Sequence, residues 1–191
     1  MDRTMKTNRM RISPLLMIFT GLLVTLPMLA FGDVRGSGRV DPPNPNMTLS
    51  HQVRHELLML PYYGVFDNLE YKVDGNNVEL SGQVIDPTLR SEAGNVVKDI
   101  KGIKSVTNKI QILPLSPNDN RIRFAEYRAV FGFGGLYRYA MGANPSIHII
   151  VDNGNVTLVG VVGNKMDKTL AGMAANWVPD VFSVTNNLRV S

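Results

Sequence analysis

Residues 71–84, YKVDGNNVELSGQV, and residues 149–162, IIVDNGNVTLVGVV, decide the fold of this chain. In both stretches apolar residues alternate with polar ones on either side of an Asp/Asn/Gly turn, which is the pattern of a β-hairpin with one apolar face. The same offset of 78 residues places residues 104–112, KSVTNKIQI, on residues 182–190, FSVTNNLRV. A fixed offset between similar segments indicates a duplicated structural unit.

The similarity of the two units exceeds chance. Residues 73–112 compared with residues 151–190, without gaps, share 13 identities in 40 positions, whereas about two or three are expected at ordinary composition. We therefore predict two tandem modules, module 1 over residues 48–113 and module 2 over residues 119–191, joined by a linker at residues 114–118.

Each module predicts the element order α-β-β-α-β. In module 1 a short helix follows Thr48, and a second helix has Asp86 as its N-cap, Pro87 in its first turn and Gly102 beyond its end. In module 2 the helices are predicted from Ile122 to Phe131 and from Asn164 to about Val178. The fold class is α+β, with each module a three-stranded sheet covered by two helices.

Four glycines have predicted structural roles. Gly75 and Gly154 lie in the hairpin turns, where a positive φ favours glycine. Gly82 and Gly160 lie inside strands, where glycine usually marks a bulge or a close approach, here of a helix to the sheet. The alternative interpretation is that these two leave backbone open to a ligand.

The combined motifs resemble the BON domain (bacterial OsmY and nodulation) over nearly all of residues 48–190. They are VDGNNVELSGQV with GIKSVTNKI in module 1, and VDNGNVTLVGVV with VPDVFSVTNNL in module 2. One departure is that the Gly-Val expected before the last strand is Gly102-Ile103 in module 1 but Asp180-Val181 in module 2. The resemblance implies export to the periplasm or outer membrane, binding to phospholipid surfaces, a role in envelope integrity or stress, and no enzymatic activity.

The first 32 residues have the layout of a signal peptide. Arg3, Lys6, Arg9 and Arg11 precede an apolar stretch from residue 15 to 31, and small residues precede a cleavage point before residue 33. We therefore expect a protein of the periplasm or outer-membrane periphery, with an uncleaved anchor in the inner membrane as the alternative. Residues 33–47, rich in Gly, Pro and Asn, predict a flexible tail.

Charge and cysteine content exclude several classes. The whole chain carries a net charge of +4, but residues 1–32 supply +3 of it, so the remainder does not predict nucleic-acid binding. Module 2 has seven basic and five acidic residues, and module 1 has seven basic and eight acidic residues. The chain has no Cys, and therefore no disulfide or thiol nucleophile.

The segment from Phe131 to Gly142, FGFGGLYRYAMG, is the most unusual stretch, and most of it has no counterpart in module 1. One interpretation is a mobile loop whose aromatic residues pack beneath module 2. The other is a contact with lipid or a partner protein, since Tyr suits a membrane interface and Arg can pair with a phosphate head group. The candidate contact residues are Phe133, Leu136, Tyr137, Arg138, Tyr139 and Met141.

No residue set predicts catalysis, and no cofactor or metal is expected. His51 and His55 are four residues apart on one helix, but no third ligand is near in sequence, so a solvated helix face is favoured. His148 alternates with Ile147 and Ile149 and should face away from the core. The sequence thus predicts a non-catalytic binding protein for anionic phospholipid or envelope proteins; a protein–protein adaptor is the alternative.

Overall fold

The computed structural model describes residues 48–191. The predicted signal peptide (1–32) and tail (33–47) lie outside the described residues. Module 1 contains α1 (Leu49–Leu58), β1 (Asn68–Asp74), β2 (Asn77–Val84), α2 (Pro87–Lys98), β3 (Ser105–Asn108) and β4 (Gln111–Ile112). Module 2 contains α3 (Pro117–Gly132), a 3₁₀ turn (Leu136–Ala140), β5 (Ile147–Asp152), β6 (Asn155–Val162), α4 (Lys165–Asn176), β7 (Ser183–Asn186) and β8 (Arg189–Val190).

Both modules have the same sheet topology, which confirms the predicted α+β class. The second hairpin strand lies at the centre, antiparallel to the first. On its other side the last stretch of the module runs parallel to it, as two short strands on one line. The break between β3 and β4 follows Asn108, whose side-chain Oδ1 accepts a hydrogen bond from the backbone N–H of Ile110. Asn186 does the same for Leu188.

Apolar residues from the hairpin strands and from the helices form the core of each module. Burial of the apolar sheet face against two helices is the main stabilising term, at about 25 cal/mol per Å² of apolar surface. The buried core residues of module 1 are Val53, Leu57, Leu60, Val78, Leu80, Val84, Leu89, Ala93, Val97 and Ile110. Those of module 2 include Ile122, Val130, Leu136, Ile147, Ile149, Val156, Leu158, Ala171, Ala175 and Leu188.

A glycine–asparagine pair fixes the second helix of each module to the sheet. Asn186 on β7 donates from Nδ2 to the carbonyl of Lys168 on α4, and its amide lies over Gly172. A Cβ at Gly172 would lie 2.7 Å from Asn186 Nδ2, so a side chain there would displace this bond. Gly94 and Asn108 repeat the arrangement in module 1. Two of the 13 repeated identities are therefore explained by a helix–sheet bond.

The strand glycines allow two strands to approach closely. A Cβ at Gly82 would lie 2.1 Å from the carbonyl oxygen of Asn68, and one at Gly160 would lie 2.0 Å from that of Ser146. Both have positive φ, of 107° and 125°. The neighbour is thus a strand backbone, and the expected helix–sheet approach occurs instead at the helix glycines. Gly75 and Gly154 have positive φ in the hairpin turns.

Helix α3 is longer than the sequence pattern predicted. It begins at Pro117, inside the predicted linker, because Ser116 Oγ accepts a hydrogen bond from the backbone N–H of Asp119 and so caps the helix. The pattern starting at Ile122 missed this turn because its side chains are polar. Asp119, only 1% exposed, accepts hydrogen bonds from the backbone N–H groups of Asn153 and Gly154.

Candidate functional site

The segment that follows α3 is folded rather than extended. The chain reverses at Gly134 and Gly135, which have φ of 57° and 79°, and then forms the 3₁₀ turn. Leu136, predicted as a contact residue, is completely buried in the core of module 2. Leu136 therefore anchors the segment and is not available to a lipid or a partner.

An acidic residue at the start of α4 holds the 3₁₀ turn in place. Tyr139 Oη and a guanidinium nitrogen of Arg138 both donate to Oδ2 of Asp167, and Asn164 Nδ2 donates to the same oxygen at 2.9 Å. The hydrogen bonds from Tyr139 and Arg138 lower the pKa of Asp167 below its usual value. Tyr139 Oη also accepts a hydrogen bond from the N–H of Gly163 at 2.8 Å. Because Arg138 is already paired, its charge is largely satisfied inside the module.

The remaining candidate residues lie on two surfaces. Tyr137 and Met141, 63% and 67% exposed, flank a shallow apolar groove of about 590 Å³ on module 2. Phe133 lies elsewhere, against the exposed Trp177, with ring centroids 5.9 Å apart. We call the first surface the aromatic groove; its residues are Tyr127, Arg128, Phe131, Gly132, Tyr137, Ala140 and Met141.

Helix α3 forms one side of the aromatic groove, and its residues were not among the candidates predicted from the sequence. Tyr127 and Arg128 are exposed on α3, and Phe131 packs against Tyr127 with ring centroids 4.9 Å apart. Arg128 forms no ion pair with any residue from 48 to 191. The available signal was the spacing of Phe124, Tyr127 and Phe131, which places three aromatic residues along one side of a helix.

Residues 63–66 of module 1 cover the outer edge of β5 in module 2. The N–H of Ile149 donates to the carbonyl of Val65 at 2.8 Å. Phe66 packs edge-on against Phe124 and Tyr127 of α3, with centroids 5.7 and 6.3 Å apart. We call this contact the module junction. It extends the aromatic residues of α3 with one residue from module 1.

His148 is central to the module junction. It lies on the sheet face opposite the core, as predicted, but it is only 8% exposed because module 1 covers it. Its Nδ1 donates to the carbonyl of Gly64 at 3.1 Å, and its ring stacks on Tyr63 at 5.3 Å. Burial lowers the pKa of His148 below its usual value and raises the pKa of Tyr63 to about 12. Both shifts favour the uncharged forms of His148 and Tyr63.

Asp67 shapes the chain that enters the module junction. It is 6% exposed, and its two carboxylate oxygens accept hydrogen bonds from the N–H groups of Gly64 and Ile85 at 3.1 and 2.9 Å. Burial raises the pKa of Asp67, and the two backbone hydrogen bonds oppose that rise. Asp67 thus fixes residues 64–67 in the turn that contacts module 2.

A second buried polar group lies on α3. Arg123, 1% exposed, donates from Nη2 to the carbonyl of Val151 at 2.7 Å. Glu126 is fully buried, and neither carboxylate oxygen has a hydrogen-bond partner in the described structure. Burial raises the pKa of Glu126 to about 8, so this side chain is largely protonated at neutral pH. Glu126 does not open onto the aromatic groove.

Neither a metal-binding cluster nor a membrane-spanning helix is found within residues 48–191. Between residues 48 and 191, no three His, Asp or Glu side chains gather as metal ligands would. This range contains the pair His51 and His55. No helix in this range is both long and apolar enough to cross a membrane.

Comparison with known proteins identifies the modules. The sequence model of the BON domain matches residues 48–114 and 138–191, which together are more than half of the chain. No curated protein sequence matches this chain. The distantly similar solved structures include two of CdsD, a structural protein of the type III secretion system of Chlamydia trachomatis. Its C-terminal domain is 13% identical over 76% of this chain and 98% of that chain, with a TM-score of 0.29. The other structure is 13% identical over 75% of this chain and 93% of that chain, with a TM-score of 0.27.

Proposed function

This chain belongs to the BON domain family, and we propose that it is a non-catalytic protein of the cell envelope that binds anionic phospholipid surfaces through the aromatic groove of module 2. The observation that carries the proposal is the combination of Tyr127, Tyr137 and Met141 with Arg128 on one exposed surface. Tyr and apolar side chains suit the boundary between water and acyl chains. An arginine beside them can pair with a phosphate group.

Charge supports the same surface. Module 2 has two more basic than acidic residues, and Arg128 has no acidic partner within the described chain. A single exposed cation near an anionic membrane contributes about 1 kcal/mol, and salt screens this contribution. We therefore expect modest, salt-sensitive binding that needs both the apolar residues and the arginine.

The predicted signal peptide supports a proposal for the location. We propose that the folded modules lie in the periplasm or at the outer-membrane periphery after cleavage, with anchoring in the inner membrane as the alternative. Phospholipid binding there would support envelope integrity or stress tolerance. Extraction of cell envelopes with carbonate separates the two cases, because a cleaved, peripheral protein is released and an anchored one is not.

Vesicle co-sedimentation tests the lipid proposal. The purified chain should sediment with phosphatidylglycerol vesicles at low salt, less at high salt, and little with phosphatidylcholine vesicles. The double variant Arg128→Gln/Tyr137→Ser should lose most of this binding. The matched control is Arg90→Gln/Tyr62→Ser, which removes an exposed Arg and an exposed Tyr from module 1. Equal sedimentation of both double variants would contradict the proposal.

A second candidate function is a protein–protein adaptor, and one surface favours it. Trp177 is exposed on module 2 and packs against the half-buried Phe133, away from the aromatic groove. Exposed Trp residues are frequent anchors of protein interfaces. A photo-crosslinking amino acid in place of Trp177 should then capture a protein in intact cells. Capture of no protein from that position would remove this candidate.

A further inference from the structure

A cleft of about 850 Å³ lies between the two modules, apart from the aromatic groove. One wall is the end of α1 with Arg54 and Leu58. The opposite wall is the outer face of the module 2 sheet, with Val159, Val161 and Arg189. Asn144 Nδ2 donates to the carbonyl of Leu58 at 3.1 Å and so joins the walls. This volume is in the range of small-molecule sites, about 300–1,000 Å³.

The sheet face that forms one wall of this cleft is more apolar in module 2 than the matching face is in module 1. At the 78-residue offset, Val159 and Val161 replace Ser81 and Gln83 of module 1. An outward sheet face is normally polar. Module 1 buries His148 on the same face, yet Val161 remains 38% exposed. The module junction therefore does not account for Val161, whereas the half-buried Val159 pairs with His148 across β5 and β6.

Each wall carries an arginine without an acidic partner in the described chain. Arg189 is next to Val161 across the β6–β8 pairing, and Arg54 precedes Leu58 by one helical turn, on the same helix face. Neither arginine forms an ion pair or side-chain hydrogen bond within residues 48–191. The lining acid is Glu70, which accepts a hydrogen bond from Asn68 Nδ2 at 3.0 Å. The residues that line the cleft thus include two arginines and one acidic residue.

We propose that this cleft binds a small amphipathic anion, with a phosphate or carboxylate group held by Arg54 and Arg189 and an apolar part against Leu58, Val159 and Val161. Arginine recognises such oxyanions through paired hydrogen bonds. The apolar part removes the two valines from water. The ligand contacts both modules, so its binding would strengthen their association. The site is independent of the aromatic groove.

Calorimetric titration of the purified chain with dodecyl phosphate, below its critical micelle concentration, tests the proposal. Inorganic phosphate and dodecanol are the comparison probes, since each supplies half of the ligand chemistry. We expect saturable binding of dodecyl phosphate with one site and at least tenfold weaker binding of either comparison probe. No saturable binding of dodecyl phosphate, or equal binding of phosphate or dodecanol, would overturn the proposal.

Two sets of variants locate the site. Arg54→Gln/Arg189→Gln should weaken dodecyl phosphate binding at least tenfold, and so should Val159→Ser/Val161→Gln, which restores the residues of module 1. Arg90→Gln, an exposed arginine on α2 outside the cleft, should leave binding within twofold of the original. Circular dichroism verifies folding. Unchanged binding in the arginine double variant would overturn the proposal.

Discussion

At the residue scale, small side chains control how closely backbones and helices approach the sheets. Gly172 leaves space for the Asn186 amide, which bonds a helix carbonyl on one side and a strand N–H on the other. Gly160 leaves space for the carbonyl of Ser146. A Cβ at either position would occupy the place of a hydrogen-bonding group. Glycine is therefore required at both for packing, whatever its conformational cost.

The first prediction concerns Gly172. The variant Gly172→Ala should lower the free energy of unfolding by about 1–3 kcal/mol, because the new Cβ displaces a half-buried Asn186 amide from its partners. Urea denaturation measures the change. Gly132→Ala is the matched control, since it is also in a helix but its Cβ would meet nothing within 4 Å. We expect that control to be neutral or slightly stabilising; equal losses in both variants would contradict the packing role.

The second prediction concerns Glu126. Its pKa in the folded state, about 8, lies above the usual value of 4.5, so the folded chain binds a proton that the unfolded chain releases. The resulting stability is fully present below pH 4.5 and is lost as pH rises through 8. Glu126→Gln should gain about 3–4 kcal/mol relative to the original chain between pH 5 and 8, at about 1.4 kcal/mol per pKa unit.

Paired urea denaturation of the original chain and Glu126→Gln at several pH values measures that difference. The difference between the two free energies of unfolding does not contain the pH dependence of groups common to both chains, including His148. A difference that stays constant from pH 5 to 8 would show that the carboxyl does not titrate in this window.

At the element scale, the sequence predicted those helices and strands whose position depends on a local sequence pattern. The hairpins followed from alternation around Asp/Asn/Gly turns, and the start of α2 followed from Asp86, whose side chain accepts a hydrogen bond from the N–H of Thr88 at 2.7 Å. The 3₁₀ turn could not be divided in advance into inward and outward residues, because its aromatic and apolar residues have no helical or strand period. The structure places Leu136 inside and Tyr137 outside.

The third prediction concerns that turn. Tyr139→Phe removes the hydrogen bonds of Tyr139 Oη to Asp167 and from Gly163, but keeps the ring against the core of module 2. Amide hydrogen exchange over residues 134–142 should therefore become at least tenfold faster, while β5 and β6 keep their protection. Tyr62→Phe, an exposed tyrosine in module 1, is the control. Exchange unaffected by Tyr139→Phe would mean that Asp167 does not hold the turn.

At the scale of the whole molecule, the two copies differ where one covers the other. The outer positions of β5 hold His148 and Ile150, both buried, whereas the matching positions of β1 hold the exposed Glu70 and Lys72. Charged residues on an edge strand discourage further pairing. The covering by residues 63–66 is therefore specific to β5. This contact was not predictable from the repeat, because it joins residues about 85 positions apart through long-range packing.

The fourth prediction concerns the module junction. His148→Glu, which installs the residue of the matching position in module 1, would bury a charge against Tyr63 and the carbonyl of Gly64. The cost of an unpaired buried charge is about 3–5 kcal/mol. Calorimetric unfolding should then separate into two transitions, where the original chain shows one. Glu70→His, at an exposed position, should keep a single transition; two transitions in the original chain would contradict the junction.

The aromatic groove was predictable in part. Tyr137 and Met141 stood out by composition, but Tyr127 and Arg128 on α3 became candidates only when the fold brought them beside the 3₁₀ turn. The absence of Cys from the chain allows a single cysteine to report on this surface. A probe that responds to polarity can be attached at Gly132→Cys in the groove, where a Cβ would meet nothing within 4 Å, or at Thr107→Cys on the exposed face of module 1.

The most direct test of the central claim is the emission of that probe during titration with phosphatidylglycerol vesicles. If the aromatic groove binds the membrane surface, emission from position 132 shifts to shorter wavelength in a saturable, salt-sensitive way, and emission from position 107 does not change. No shift at position 132, or equal shifts at both positions, would contradict lipid binding through this groove.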